Sequence, residues 1–530
     1  MKRSLHIALA VAGLTLVAAC NPFLTGEGLN NDPNNPQTAS REALFMGVQA
    51  NTWGQQESSV ALTVCMWMQQ CTGGGGRFVE QFGKYVIDEG SHSFDFNSVY
   101  MGGGLIDIRK IEASSAADGD SIFLGVAQIY EALVIGTAAD VWGDIPYTQA
   151  LQVATPALDN QFAVYDSVQA LLSRAIVNLG GAGPGPLDRD LIFAGDPAPW
   201  IEVAHTLKAR YFLHTVEAAG AGLLGTRTAA QVYADAIAEA SLGISAPAND
   251  FKAVHGQSTS ERNVWFQFSQ TTFGIDLVAG KFLVDILRAR DDARLPQYFS
   301  KNASDGWKPN HEYGVNSIIL DPNDNAELVT AGTGDSTSGS TEPAWSDTAG
   351  TTRVDNNVTW TNYGLPYGGE DVNTAQIVST ISAVDGTRNS PTFRQPFVTY
   401  AENELILAEA YNQTSNDPVA VTHLNNERAT VPGLGSVAAV GAALFDSIMT
   451  EKYVALFENV EVWSDYRRTC LPALTPYLIA NGADPVFGNK VPGRFYYGSN
   501  ERNTNPNIPA PSAQLANNGF RNRNDPNPCP

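Results

Sequence analysis

Charge is scarce in this chain of 530 residues. Only 16% are Asp, Glu, Lys or Arg, and 32 basic residues stand against 55 acidic ones, a formal net charge of −23. That balance argues against a nucleic-acid partner, since phosphate binding needs clustered Lys and Arg. Histidine occurs seven times, never as His-Glu-x-x-His or in another metal-binding spacing, so no metal site is expected. Gly73-Gly74-Gly75-Gly76-Arg77 lacks the Gly-Lys-Ser/Thr ending of a phosphate loop and reads as a mobile turn, and no Gly-x-Ser-x-Gly elbow occurs. Asp321-Pro322-Asn323-Asp324-Asn325 opens like a calcium loop. It then fails, with Ala326 in place of the glycine and Gly332 in place of the bidentate Glu. Carboxylates are numerous, but nothing selects a pair for glycoside hydrolysis; Glu402, Glu404 and Glu409 read as a solvated or structural helix face. The chain is expected to be non-enzymatic and to need no cofactor. Wholesale disorder is excluded by the 43% hydrophobic content.

Long apolar runs are lacking too, except at the start. Lys2 and Arg3 precede a mostly apolar stretch from Leu5 to Ala19. This is short of the roughly 20 residues a spanning helix needs, and residues 1–19 suit a secretory signal. The stretch ends in Val17-Ala18-Ala19-Cys20, which resembles the bacterial lipoprotein signal in which Cys20 becomes the lipidated first residue. Asn21 follows, with no Asp to retain the chain at the inner membrane, so an outer-membrane address is expected. Residues 20–40, with Asn30-Asn31-Asp32-Pro33-Asn34-Asn35-Pro36, are too polar and proline-rich for a helix and read as a lipidated tether. No later stretch reads as long and apolar enough to cross a bilayer, nor do ten-residue alternating segments recur as a barrel requires.

Cysteine is sparse as well. Beyond Cys20 there are Cys65, Cys71, Cys470 and Cys529, which allow three connectivities in an exported protein where disulfides persist. Cys65–Cys71 with Cys470–Cys529 needs the least chain rearrangement; free buried thiols are the alternative.

What the chain has in abundance is helical periodicity. Val60, Ala61, Val64, Trp67 and Met68 share one face, and Ile122, Val126, Ile129, Tyr130, Leu133 and Val134 another. The pattern continues through Tyr165 to Leu179, stopped by Gly180-Gly181, and from Pro199 to Phe212. It returns at 232–240, 282–287, 405–411, 424–428 and 444–457. Paired helices separated by Gly, Pro and Asn turns predict a mainly α fold of stacked hairpins. Between roughly 300 and 395 the periodicity disappears, and residues 315–364 predict a small β insertion dividing a helical domain into parts 41–314 and 365–530. Gly332-Thr333-Gly334, Thr341-Glu342-Pro343-Ala344-Trp345 and Asp355-Asn356-Asn357-Val358-Thr359-Trp360 resemble a short β-module of phage tail proteins and some secreted polysaccharide-active enzymes.

Aromatic residues concentrate in two polar stretches, around 72–100 and 300–367. Sugar rings present C–H faces that pack on such rings while polar neighbours bond the hydroxyls. Tyr85, Phe94, Trp307, Tyr313 and Tyr363 are the candidate ligand-binding rings, with an oligosaccharide, or else a peptide, as ligand. Trp67, on an apolar stripe, is expected in the core.

Several segments together resemble the SusD/RagB family of outer-membrane nutrient-binding lipoproteins, nearest its SusD-like branch. They are Cys20 with Asn31-Asp32-Pro33-Asn34-Asn35-Pro36, Trp142-Gly143-Asp144-Ile145-Pro146-Tyr147, Asp292-Ala293-Arg294-Leu295, and Tyr400-Ala401-Glu402 with Ala408-Glu409-Ala410. Glu451-Lys452-Tyr453, Trp463-Ser464-Asp465-Tyr466-Arg467-Arg468 and Val491-Pro492-Gly493-Arg494-Phe495 complete the set. The resemblance implies a scaffold of tetratricopeptide-like helical hairpins with a loop-rich ligand face. It also implies a TonB-dependent barrel transporter as partner, with the lipid-anchored chain as its lid on the cell surface. The motif residues themselves are implied to be structural. A secreted polysaccharide-active hydrolase and a surface adhesion protein using the β-module are the alternative readings.

Overall fold

The computed structural model describes residues 39–57, 59–72, 79–269, 278–299, 318–321, 325–328, 388, 390–477 and 484–529. The leader, Cys20, the tether and most of the expected β insertion lie outside them, as do Trp307, Tyr313 and Tyr363.

The chain builds a stack of helices. An opening pair, α1 (Arg41–Glu57) and α2 (Ser59–Trp67), is followed by α3 (Leu105–Ala117), α4 (Ser121–Trp142), α5 (Gln161–Leu179), α6 (Pro197–Leu213) and α7 (Ala229–Ala240). From α3 to α6 each helix packs on the next, and α7 packs on α6. The chain then leaves the stack, forms α8 (Lys281–Ala289), and returns as α9 (Tyr400–Gln413), which packs directly against α7. Two more helices, α10 (Asp417–Arg428) and α11 (Gly441–Ala455), extend the stack, and α12 (Glu461–Thr469) turns back toward α2. The expected helical hairpins are therefore present, and the stack is continuous in space across a break of more than 150 residues in sequence.

Local chemistry sets the ends. Asp120 caps α4 by accepting from the Phe123 amide, and Thr228 and Gln231 form a capping box at α7. Pro199 was expected to open a helix; α6 instead begins two residues earlier at Pro197, because the Asp196 carboxylate accepts from the Ala198 amide and fixes the first turn there.

α4 corrects one expectation. Its best window has a mean hydropathy of 1.6, so it is long and apolar enough to cross a membrane. It serves as the central core helix, flanked by α3, α5 and α6 with most of its residues buried. A helix enclosed on several sides loses its polar face, and composition alone cannot tell that case from a lipid-facing span.

Strands are short. β1 (Cys71–Thr72) pairs antiparallel with β3 (Val278–Ala279), and β2 (Phe251–Lys252) with β6 (Pro396–Val398). β4 (Ile318–Asp321) and β5 (Asn325–Leu328) form a hairpin inside the expected insertion, with Asp321 opposite Asn325. The first and last residues of the stretch that opens like a calcium loop, Asp321 and Asn325, are thus cross-strand partners. Cys65 is bonded to Cys71 and Cys470 to Cys529, each pair with Cα atoms 5.2 Å apart.

Candidate ligand site

The antiparallel pairing of β1 and β3 ties together distant parts of the chain. At the end of α2, Gln70 donates from Nε2 to the Tyr453 carbonyl at 2.7 Å, and the Tyr453 hydroxyl donates to the Met68 carbonyl at 2.8 Å. Gly280 donates its amide to the Gln70 carbonyl at 3.0 Å. A Cβ at Gly280 would lie 2.1 Å from the Gln69 carbonyl oxygen, so only glycine permits this approach. β4 also lies against β1. β4, inside the second aromatic-rich stretch, therefore lies beside β1, where the first begins.

The first stretch is held rigidly from behind. His92 is buried between Ser59, Thr63 and Asp95, and the Ser59 hydroxyl donates to Asp95 at 2.5 Å. Asp88 accepts from the amides of Gly90 and Ser91, closing a tight turn. Arg502 and Gln514 both bond Glu89. On this platform the short helix Ser93–Ser98 presents Phe94, whose ring is 81% exposed.

Tyr85 is a correction. It was expected as a ligand ring because it sits in a polar stretch, but it is 2% exposed. It packs edge-on against Trp67 at 6.3 Å, and its hydroxyl accepts from the Tyr477 amide at 2.9 Å. Both faces and the polar tip are occupied by protein, so it belongs to the core. Trp67 does lie in the core as expected, stacked on Phe495 at 4.6 Å.

A second feature has no precursor in the sequence reading. A cleft of about 640 Å³ opens between the end of α10, the start of α9, the edge of β2 and β6, and residues 388–394. Tyr298, Phe393, Lys252, Arg388 and Arg394 are among its lining residues. The Arg388 guanidinium lies over the rings of Tyr298 and Phe393, 4.9 and 4.7 Å from their centroids, and bonds Glu458 at 3.0 Å. The run Arg388 to Arg394, two cations and a Phe among Asn, Ser, Pro and Thr, is the cleft's only local signal in the sequence, because its other walls lie far away along the chain.

Behind these surfaces the carboxylates of α9 are buried and paired. Glu402 holds Arg210 at 2.5 and 2.6 Å, and Glu409 holds Lys452 and Arg468 at 2.6 and 2.7 Å. Glu404 accepts from Asn426 at 2.9 Å. Of the two expectations for these acids, the structural one holds and the solvated one does not. Glu451 gathers Arg290, Arg294 and Arg428, each at 2.5 Å.

Asp140, His214 and Glu461 come together as three buried groups that could suggest a metal set. Each imidazole nitrogen faces one carboxylate, at 2.7 Å for Asp140 and 2.6 Å for Glu461. Burial would lower the imidazole pKa, but the two acids override it and push it up to about 10. The ring is thus a cation bridging two anions, and a metal would have to displace that proton.

Arg294, Glu402, Glu409, Glu451, Lys452 and Arg468 in these ion clusters belong to the motifs at Asp292, Tyr400, Glu451 and Asp465. Residues 33–344 match the family profile described as starch-binding, associating with the outer membrane. Residues 401–518 match the profile of SusD and RagB outer-membrane lipoproteins. The chain belongs to the SusD/RagB family. Solved structures agree at the level of fold. A SusD/RagB family protein of Bacteroides thetaiotaomicron is 17% identical, with 91% of this chain and 97% of that chain covered and a TM-score of 0.62. A chitin-binding SusD homologue of Flavobacterium johnsoniae is 18% identical, covering 91% and 98% with a TM-score of 0.62. A SusD homologue of Bacteroides fragilis is 16% identical, covering 92% and 99% with a TM-score of 0.64. None of the curated proteins matches the chain significantly. In this SusD/RagB protein the ion clusters lock α6, α9, α11 and α12 together.

Proposed function

We propose that this SusD-like chain captures a nutrient oligosaccharide at the outer membrane and passes it to a TonB-dependent barrel transporter, for which it is the lid. Membership of an outer-membrane lipoprotein family, over most of the chain, is the observation that carries this reading. The contact of β4 with β1 supports a ligand face there, with Phe94 as a stacking ring; Trp307, Tyr313 and Tyr363, which lie outside the described residues, are the further rings of this reading. A relative described as chitin-binding supports a glycan as the ligand class. Lipid on Cys20 would tether the chain, and multiple acyl chains hold a protein at a membrane where one does so only marginally. The buried pairing of Glu402 and Glu409 supports a binding rather than hydrolytic role for those acids.

Recovery from native membranes in mild detergent tests the partnership: a β-barrel transporter is expected to co-purify, and the lipoprotein alone across several detergents and crosslinkers would overturn it. A glycan panel assayed for both binding and cleavage tests the rest. Binding without new reducing ends is expected; hydrolysis would replace the reading with a polysaccharide-active enzyme.

A further inference from the structure

In a chain of net charge −23, the cleft beside residues 388–394 is unusual in collecting Lys252, Arg294, Arg388 and Arg394 against Asp250 and Glu427. Three of the four cations are satisfied. Arg294 is consumed by Asp292, Glu427 and Glu451, Arg388 by Glu458, and Lys252 by Asp250 at 3.0 Å.

Arg394 differs. Its Nε donates to the Ala253 carbonyl at 3.2 Å and its Nη2 to the Lys252 carbonyl at 3.4 Å. Among the described residues no carboxylate forms an ion pair with it. The two backbone acceptors fix the guanidinium without neutralising it, and Nη1 keeps its donors. Partial burial lowers its pKa from the ordinary arginine value, and the charge of Asp190, which forms no ion pair with it, offsets this only in part. A guanidinium is suited to carboxylate and sulfate oxygens, which it can meet with paired N–H donors. Around it the cleft offers what a sugar needs. The Ser390 and Thr392 hydroxyls lie 3.1 Å apart, and the half-buried Phe393 ring supplies an apolar wall.

We propose that this cleft is a subsite for an anionic sugar residue, one carrying a carboxylate or a sulfate ester, with Arg394 as its charge-reading residue. The inference rests on the glycan-binding reading above and narrows its ligand class.

Calorimetry on the full-length protein tests it with three probes of matched length: a galacturonate trisaccharide, a sulfated galactose trisaccharide and neutral galactotriose. At low salt one of the acidic probes is expected to bind about tenfold or more tighter than the neutral one, the scale of one charge-assisted hydrogen-bonded pair. Raising the salt should erode the difference. Arg394→Gln should abolish the preference, Arg394→Lys should keep part of it, and neither should shift the melting temperature. The better of the two acidic probes identifies the anion. Equal binding of neutral and acidic probes, or a preference unchanged in Arg394→Gln, overturns the subsite while leaving glycan binding in place. Failure of all three probes, and of a wider panel, overturns both.

Discussion

Phe94 and Trp67 lie within thirty residues of each other and answer to different forces. Phe94→Ala removes a ring that touches mainly water, so the melting temperature should stay within a degree or two while glycan affinity falls by about 1 kcal/mol. Trp67→Ala opens a void beside Phe495 and Trp463 and should cost about 3–5 kcal/mol of stability. Tyr85→Phe should cost about 1 kcal/mol through the lost bond to the Tyr477 amide, with affinity unchanged. Denaturant melts and calorimetry on the same variants separate the three cases. A fall in stability for Phe94→Ala with unaltered affinity would show that its ring is structural. Buried acids and bases add a pH signature. Burial, reinforced by the charge of Glu131, pushes the Glu112 carboxyl up to about 9, while Asp140 and Glu461 hold the His214 imidazolium to about 10. In both cases the folded chain keeps a proton that the unfolded chain has released, from above pH 4.5 for Glu112 and 6.5 for His214. Stability therefore falls as pH rises, between 4.5 and about 9 for Glu112 and between 6.5 and about 10 for His214, by at most about 1.4 kcal/mol per unit for each group. Glu112→Gln should flatten that slope up to pH 9; an identical slope in the variant would remove Glu112 from the account.

At the scale of elements, the C-terminal segment is a structural strap. Asn522 donates to the Asp140 carbonyl, Asn524 bonds Gln161, Tyr165 and the His214 carbonyl, and Asp525 pairs with Arg467 at 3.2 Å. Cys529 then closes the strap onto the end of α12 through Cys470. Truncation after Phe520 should leave Arg467 without its carboxylate partner and the Asp140 and His214 carbonyls without their Asn donors, and cost at least about 3 kcal/mol. The Cys470→Ser/Cys529→Ser pair should cost up to about 4 kcal/mol by chain entropy alone, since the bond closes a loop of about sixty residues. Urea unfolding of both variants checks this, and a truncated chain as stable as the parent would refute the strap. Helix starts in the structure are set by capping side chains, as at Asp120 and Thr228. At α6 the position was missed by two residues because the capping carboxylate of Asp196 outranked the second proline.

Across the whole molecule, what could be read in advance and what could not divide along chain distance. Helices were legible because their signal, an apolar residue every third or fourth position, is carried by near neighbours, and the family followed because its motifs recur in order along the chain. The fate of each aromatic ring was not legible. Tyr85 and Phe94 share a polar local context, yet the first is sealed by Trp67 and the backbone of residue 477, nearly four hundred positions away, while the second is left 81% exposed by the described residues. The acids of α9 posed the same problem, since their guanidinium and ammonium partners stand at 210, 452 and 468. The cleft around Arg394 has walls from five separate stretches of chain. By itself the sequence determined the helical periodicity and the family, both properties of residue order. Exposure, ion pairing and the shape of the ligand face were decided only by tertiary structure, because each depends on which distant residues arrive within a few ångströms and exclude water.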